Sequence, residues 1–178
     1  MAATSALPAH LVSLLRENKL PESWVIAIPA SIGLMQVFGR AMLFFFERHF
    51  DLHVANRLIP CLIPLGFIVL LLTPYFGVGN HALVLIFVVL YGIGNGMLTI
   101  VKGTAIAQYV DLTQVASLNG ALGVPVALAR ASAPLLMGVL WNQQVGYRDG
   151  LWAMLLLSIV GITCLIFAQR SARKTTLQ

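Results

Sequence analysis

Five stretches of about twenty apolar residues dominate this chain, each almost free of charge, and they decide what it can fold into. A hydrocarbon core ~30 Å thick is crossed by about 20 residues of helix. The stretches fall at about 23–46, 58–76, 81–101, 115–144 and 150–169, with only Arg40 inside the first and Arg130 inside the fourth. The fourth is long enough to tilt or to extend past the lipid. Membrane strands are excluded, because the runs are too long and do not alternate. Composition agrees: 59% of the 178 residues are hydrophobic and 10% are charged, where a soluble domain carries ~25% charged. So few charges cannot cover a soluble surface, and the chain is too apolar to stay unfolded in water. The expected class is all-α: a polytopic transmembrane helix bundle, one domain over 1–178, in an integral multi-pass membrane protein.

The connections carry turn chemistry. Pro21 is pre-set for a turn, and Ser23 is expected to cap the first span. Gly77-Val78-Gly79-Asn80 reads as a tight turn between the second and third spans, and Gly146-Tyr147-Arg148-Asp149-Gly150 as the link before the fifth. Short links predict antiparallel neighbours. Counted by side, Arg40, Arg48, Arg57, Lys102, Arg170, Arg173 and Lys174 fall together, against Arg16, Lys19 and Arg148 on the other side. The positive-inside rule puts the first group, and the C-terminus, in the cytoplasm. The basic residues are scattered singly, so the formal charge of +5 orients the chain and does not bind nucleic acid.

That orientation puts the start of the first span outside, yet residues 1–20 show no signal peptide. The apolar stub Ala6–Leu15 before Arg16 is about half a span long. Read as the tail of a truncated sixth helix, residues 1–20 repair the topology; the alternative is an interfacial helix lying on the outer surface.

Six antiparallel spans with both ends cytoplasmic are the plan of one half of a major facilitator superfamily transporter, and several motifs strengthen the likeness. The run from Ala6 to Arg40, through Ser31-Ile32-Gly33 and Gln36-Val37-Phe38-Gly39-Arg40, resembles the end of that family's seventh helix and its eighth. Tyr91-Gly92-Ile93-Gly94-Asn95-Gly96-Met97-Leu98-Thr99-Ile100-Val101-Lys102-Gly103-Thr104 resembles a tenth-helix pattern of bacterial members. Ala116–Pro134, with Asn119-Gly120, Gly123-Val124-Pro125 and Ala129-Arg130-Ala131-Ser132-Ala133-Pro134, resembles the eleventh helix. The family's N-terminal half and its Gly-x-x-x-Asp-Arg-type loop are absent; Glu47–His53 keeps mixed charge without that spacing. The resemblance implies the C-terminal half of a secondary carrier in a bacterial cytoplasmic (inner) membrane. It would move a small-molecule solute, with or without a coupling ion, by alternating access. The missing N-terminal half or a second copy of the chain would complete it. A non-transporting membrane fragment, or an accessory or scaffold subunit packed against a partner, is the alternative.

Individual residues sharpen this reading. Arg130 lies near the middle of the fourth span, where an Arg costs several kcal/mol (~2.5–3.5). It either faces a watery cavity and attracts an anionic solute, or snorkels or pairs with backbone. No Asp or Glu lies inside any span, so a carboxylate partner would come from elsewhere. Asn95 and Thr99 share one face of the third span, Asn119 heads the fourth, and Gln36 lies in the first. These are further cavity candidates, or polar glue between helices. Gly92 and Gly96 form a small-residue face for close packing or a gating kink. Pro125 and Pro134 should bend the fourth span, and Arg40 either snorkels or locks its loop. Trp24, Trp141, Trp152, Tyr75 and Tyr147 fall near span ends, as belt residues do. Cys61 and Cys164 are packing residues outside any CxxC motif. His49 and His53 are four apart but have no third ligand, so no metal site is expected. No nucleophile elbow, HExxH or intramembrane carboxylate pair supports an enzyme, and no cofactor is implied.

Overall fold

The computed structural model describes residues 2–46, 52–76, 80–109 and 112–175. Within them lie six helices: α1 (Ala2–Glu17), α2 (Glu22–Phe46), α3 (Leu52–Leu72, extended by a 3-10 turn at Thr73–Phe76), α4 (His81–Tyr109), α5 (Leu112–Val139) and α6 (Arg148–Thr175). No named strand occurs among the described residues. Five helices are long and apolar enough to cross a membrane: Glu22–Phe45, Leu58–Phe76, His81–Val101, Val115–Val139 and Arg148–Gln169. The side chains of Arg57, Lys102, Arg170, Arg173 and Lys174, and all of Arg48, His49 and 77–79, lie outside the described part.

Helix ends follow local chemistry. The α1 helix closes in a Schellman motif: Leu20 N–H donates to the Leu15 carbonyl (3.4 Å) and Lys19 N–H to that of Arg16 (2.9 Å). Lys19 takes the left-handed position, φ 53°, which glycine normally fills. Leu20 and Leu15, at the two ends of that loop, are both buried. The α2 helix begins one residue earlier than expected. Pro21 supplies the capping carbonyl to Trp24 and Val25 N–H, so Ser23 lies inside the first turn and is not the cap. At α4, Asn80 caps through its side chain, accepting Leu83 N–H (3.4 Å).

The fourth span is shorter than the apolar run suggested. Helix stops at Val139, not 144, because Asn142 and Gly146 exchange backbone hydrogen bonds (2.7 and 3.3 Å) across a tight loop. Gly146, at φ +59°, allows the reversal. The α6 helix then starts at Arg148, two residues early, with Asp149 in its first turn as the helix dipole favours.

The α4 helix packs along both α2 and α3, α1 along α5, and α3 along α6. Successive contacts of α3 with α4 run in opposite chain directions (Gly66 at Tyr91, Leu62 at Gly94). Those of α2 with α4 (Trp24 at His81, Met35 at Gly92) and of α1 with α5 (Ser5 at Arg130, His10 at Pro134, Glu17 at Trp141) run in the same direction, so those two pairs are parallel. The α1 helix also touches α2 and α6, and its apolar residues at Ala3, Ala6, Leu7, Leu11, Leu14 and Leu15 are all buried. It packs against the other helices by that face, while Pro8, Ala9, Val12 and Ser13 on its other side are exposed. Beside it, Phe87 stacks on Tyr91 (5.4 Å between centroids) and Phe67 meets Tyr91 edge-on (6.2 Å). By contrast α5 is thinly covered: residues 116–125 are all exposed.

Candidate functional site

At about 100° per residue, each helix has a face that can be followed along its length. On α5, Met137 and Ala133 are buried in the core. Continuing along that face gives Arg130, Val126, Gly123 and Asn119, all within about 60° of one another. The exposed Val124, Leu128, Leu135 and Val139 lie about 120–180° away from Arg130. So Arg130 and Asn119, although exposed, share the bundle-facing side of α5 and oppose its apolar stripe.

The other helices repeat the pattern. On α4 the buried Val84, Phe87, Val88 and Tyr91 define a face on which Asn95 is the next polar position; Thr99 lies at its rim, exposed. On α2, Val25, Ile28 and Ile32 are buried and Gln36 continues their face. Gln36 and Asn95 are half-buried. Two links set their depth relative to α1: Tyr91 Oη donates to the Thr4 carbonyl (3.1 Å), and Ser5 Oγ lies 3.3 Å from the Arg130 carbonyl. The polar continuations therefore begin where α1 begins, between α4 and α5. No direct hydrogen bond links Gln36, Asn95 and Asn119 to one another among the described residues, and Thr99 Oγ1 donates within its own helix, to the Gly96 carbonyl (2.7 Å). None of the five candidates lines either of the two cavities found in the bundle.

Those two links have a common origin in proline. Pro8 has no N–H to give the carbonyl four residues back, which is that of Thr4, and Pro134 likewise leaves the Arg130 carbonyl without its helical donor. A backbone carbonyl without a donor is costly in lipid. Each freed carbonyl is approached by a hydroxyl from a neighbouring helix: Tyr91 meets Thr4, and Ser5 meets Arg130. Ser5 has one proton, and the Ala2 carbonyl (2.9 Å) competes for it.

The glycines thin α4 on two opposite sides. Gly92 and Gly96 are about 40° apart, and Gly94 is about 160–200° from both. A Cβ at Gly92 would come within 2.5 Å of Met35 Cβ, and one at Gly96 within 2.8 Å of Gln36 Cα, both on α2. One at Gly94 would come within 2.8 Å of Leu62 Cβ on α3. From the α2 side, Gly39 fits against the Ile93 carbonyl (2.9 Å to its virtual Cβ). Gly92 and Gly96 thus sit at a close α2–α4 crossing, while α5 runs as one helix through Pro125 and Pro134.

The end of the bundle holding the C-terminus of α1 and the N-terminus of α2 carries chemistry that sequence reading missed. His10 Nε2 lies 2.9 Å from the Pro134 carbonyl, and its Nδ1 lies 3.2 Å from Tyr147 Oη. A carbonyl only accepts, so Nε2 carries the proton; in the neutral ring Nδ1 then accepts from Tyr147. Glu17 accepts the Trp141 indole N–H (2.6 Å), and Arg148 donates to Tyr75 Oη with its guanidinium carbon 5.5 Å from the Tyr75 ring centre. Trp24 meets His81 (4.4 Å between centroids). Arg16 and Glu22 pair at 2.5 Å on the surface, and the carboxylate holds the Arg16 pKa above its ordinary value, so this cation stays charged. Of these groups, Glu17, Tyr75, Trp141, Tyr147 and Arg148 line a cavity of about 530 Å³. A second, apolar one of about 260 Å³ lies beside Thr4, Pro60 and Gly161. The only signal in the sequence for the first was the clustering of aromatic residues at span ends. Among the described residues, no group of three His, Cys, Asp or Glu side chains is placed to hold a metal ion.

The chain matches no family model, no curated protein and no solved structure.

Proposed function

We propose that this chain is one bundle of a secondary carrier of the major facilitator type. In that reading it moves a small, anionic solute by alternating access, together with a second bundle that closes over the exposed part of α5. The observation that carries the reading is the placement of Arg130: mid-helix, on the bundle-facing side of α5 and opposite its apolar stripe. A guanidinium in a membrane span is costly unless it meets water, a partner or a ligand. Asn119 on the same face, and Asn95 and Gln36 on the interior faces of α4 and α2, would supply neutral hydrogen bonds beside it. The close glycine crossing between α2 and α4 would keep those two helices moving as one body. In this reading the more basic end faces the cytoplasm, and any coupling carboxylate belongs to the second bundle, since the only acids in these spans, Glu22 and Asp149, lie in their first turns.

Cysteine accessibility tests it. With Cys61 and Cys164 replaced, single cysteines at 119, 130, 128 and 135 are treated with a membrane-impermeant thiol reagent in membranes. Labelling at 119 and 130, but not at 128 and 135, is expected. Equal silence at all four places Arg130 in lipid or sealed protein; the chain is then a non-transporting membrane subunit. A solute that protects position 119 identifies the cargo class.

A further inference from the structure

The 530 Å³ cavity at the α1 C-terminal end lies away from the Arg130 face, and its chemistry has two poles. It is of a size that holds a small molecule. Three helix C-termini converge on it: Glu17 and Asn18 end α1, Tyr75 follows the end of α3, and Trp141 follows the end of α5. Helix C-termini carry partial negative charge, and Glu17 adds a full one. Its carboxylate is anchored by the Trp141 indole N–H and leans on Gly146, where a Cβ would lie 3.2 Å from Glu17 Cδ. An acid in the last turn of a helix opposes the dipole, so a cation there relieves two unfavourable charges at once. The aromatic rings of Trp141 and Tyr147 line the same space, and such rings favour ammonium groups.

The lining also includes Arg148, which opens α6 and is held at Tyr75. Here a guanidinium and the positive end of a helix dipole coincide, and both attract an anion. Asp149, the acid beside it, does not line the cavity.

We infer that this cavity binds a small zwitterion, its ammonium group against Glu17 and the aromatic walls and its anionic group against Arg148. Free amino acids and phosphoethanolamine have this chemistry. So does the headgroup of a zwitterionic phospholipid, which a site at the level of the aromatic belt can reach from the bilayer. The inference is independent of the transport reading.

The test uses the purified full chain with Trp141 as its only tryptophan (W24F/W152F). Glycine, phosphoethanolamine, ethanolamine and glycerol phosphate are titrated in detergent while Trp141 emission is followed. A saturable response to a zwitterion is expected, with the singly charged analogues at least about tenfold weaker. E17Q and R148Q should each weaken the zwitterion about tenfold or more, whereas R16Q, at the same end but outside the cavity, leaves it unchanged. If R148Q fails to fold, R148K keeps the charge without the planar fork and takes its place with a smaller loss. If free zwitterions are silent, nanodiscs of phosphatidylethanolamine and of phosphatidylglycerol are compared. A Trp141 shift with the first alone, abolished by E17Q, assigns the site to a lipid headgroup. No saturable response in either format, or one that the singly charged analogues reproduce, overturns the inference.

Discussion

Gly96→Ala is the sharpest test of how this bundle is held together. The new Cβ would lie 2.8 Å from Gln36 Cα and 2.9 Å from its carbonyl carbon, and nearer still to the carbonyl oxygen. These are backbone atoms, so no rotamer change makes room. Restoring an ordinary contact of 3.4 Å moves α2 away from α4 by about 0.6 Å or more, and a small radial gap already forfeits a quarter to a half of each dispersion contact. Overpacking costs ~1–3 kcal/mol; a clash with backbone, which cannot rotate away, belongs in the upper part of that range, ~2–3, and the gain in helix propensity returns at most ~1. The net expectation is a loss of about 1–2 kcal/mol, or roughly 2–8 °C in melting temperature at ~2–4 °C per kcal/mol. Gly120→Ala is the matched control. It has nothing within 4 Å, so only the propensity gain remains and it should melt at or above the parent. Thermal unfolding of both variants in one detergent, followed by aggregation or by tryptophan emission, reads the sign directly. A Gly96→Ala protein as stable as the parent, or a Gly120→Ala protein equally damaged, would refute the close-crossing argument.

Other expectations follow from named contacts. Tyr91→Phe removes the hydroxyl from the Thr4 carbonyl and should cost about 1–3 kcal/mol, as for an abandoned buried acceptor. The cost should shrink in a Pro8→Ala background, where residue 8 regains its N–H, and a double-mutant cycle on melting temperature that shows no coupling sinks the proline explanation. Lys19→Gly relieves a left-handed lysine worth about 1 kcal/mol, partly offset by chain entropy, and should raise the melting temperature by a degree or two; a clear drop would contradict the Schellman assignment. Arg16→Gln breaks an exposed ion pair and should leave the melting temperature unchanged at physiological salt.

The spans were legible because length and apolarity alone specify a membrane helix, and the described helices lie where those runs lie. Two boundaries were not. Trp141 to Gln144 continued the fourth run in composition, but the helix had already ended, because the Asn142–Gly146 backbone pair and the positive φ of Gly146 close a local loop there, which apolarity alone does not register. The capping role given to Ser23 failed for a local reason: Pro21 had already supplied the first accepting carbonyl. Among the candidate site residues, periodicity correctly associates Asn95 with Thr99, but only packing reveals that Arg130 continues the Ala133–Met137 face. His10 was hidden altogether. Its partners, Pro134 and Tyr147, are 124 and 137 positions away, and nothing within a window of a few turns distinguishes it from any other histidine on a short apolar helix.

That separation has a consequence for biosynthesis. The α1 helix leaves the ribosome well before the helices that satisfy its polar groups. The donor for the Thr4 carbonyl arrives 87 residues later, and the His10 acceptor later still. At ~5–20 residues per second, α1 waits several seconds to tens of seconds with a freed carbonyl and an unpaired imidazole before α4, α5 and α6 exist. Its apolar face is held meanwhile by lipid, by translocon or by α2 alone. The α1 helix is therefore locked in place only once α5 and Tyr147 have followed it, and quality-control machinery has that interval in which to act on any chain stalled before α5.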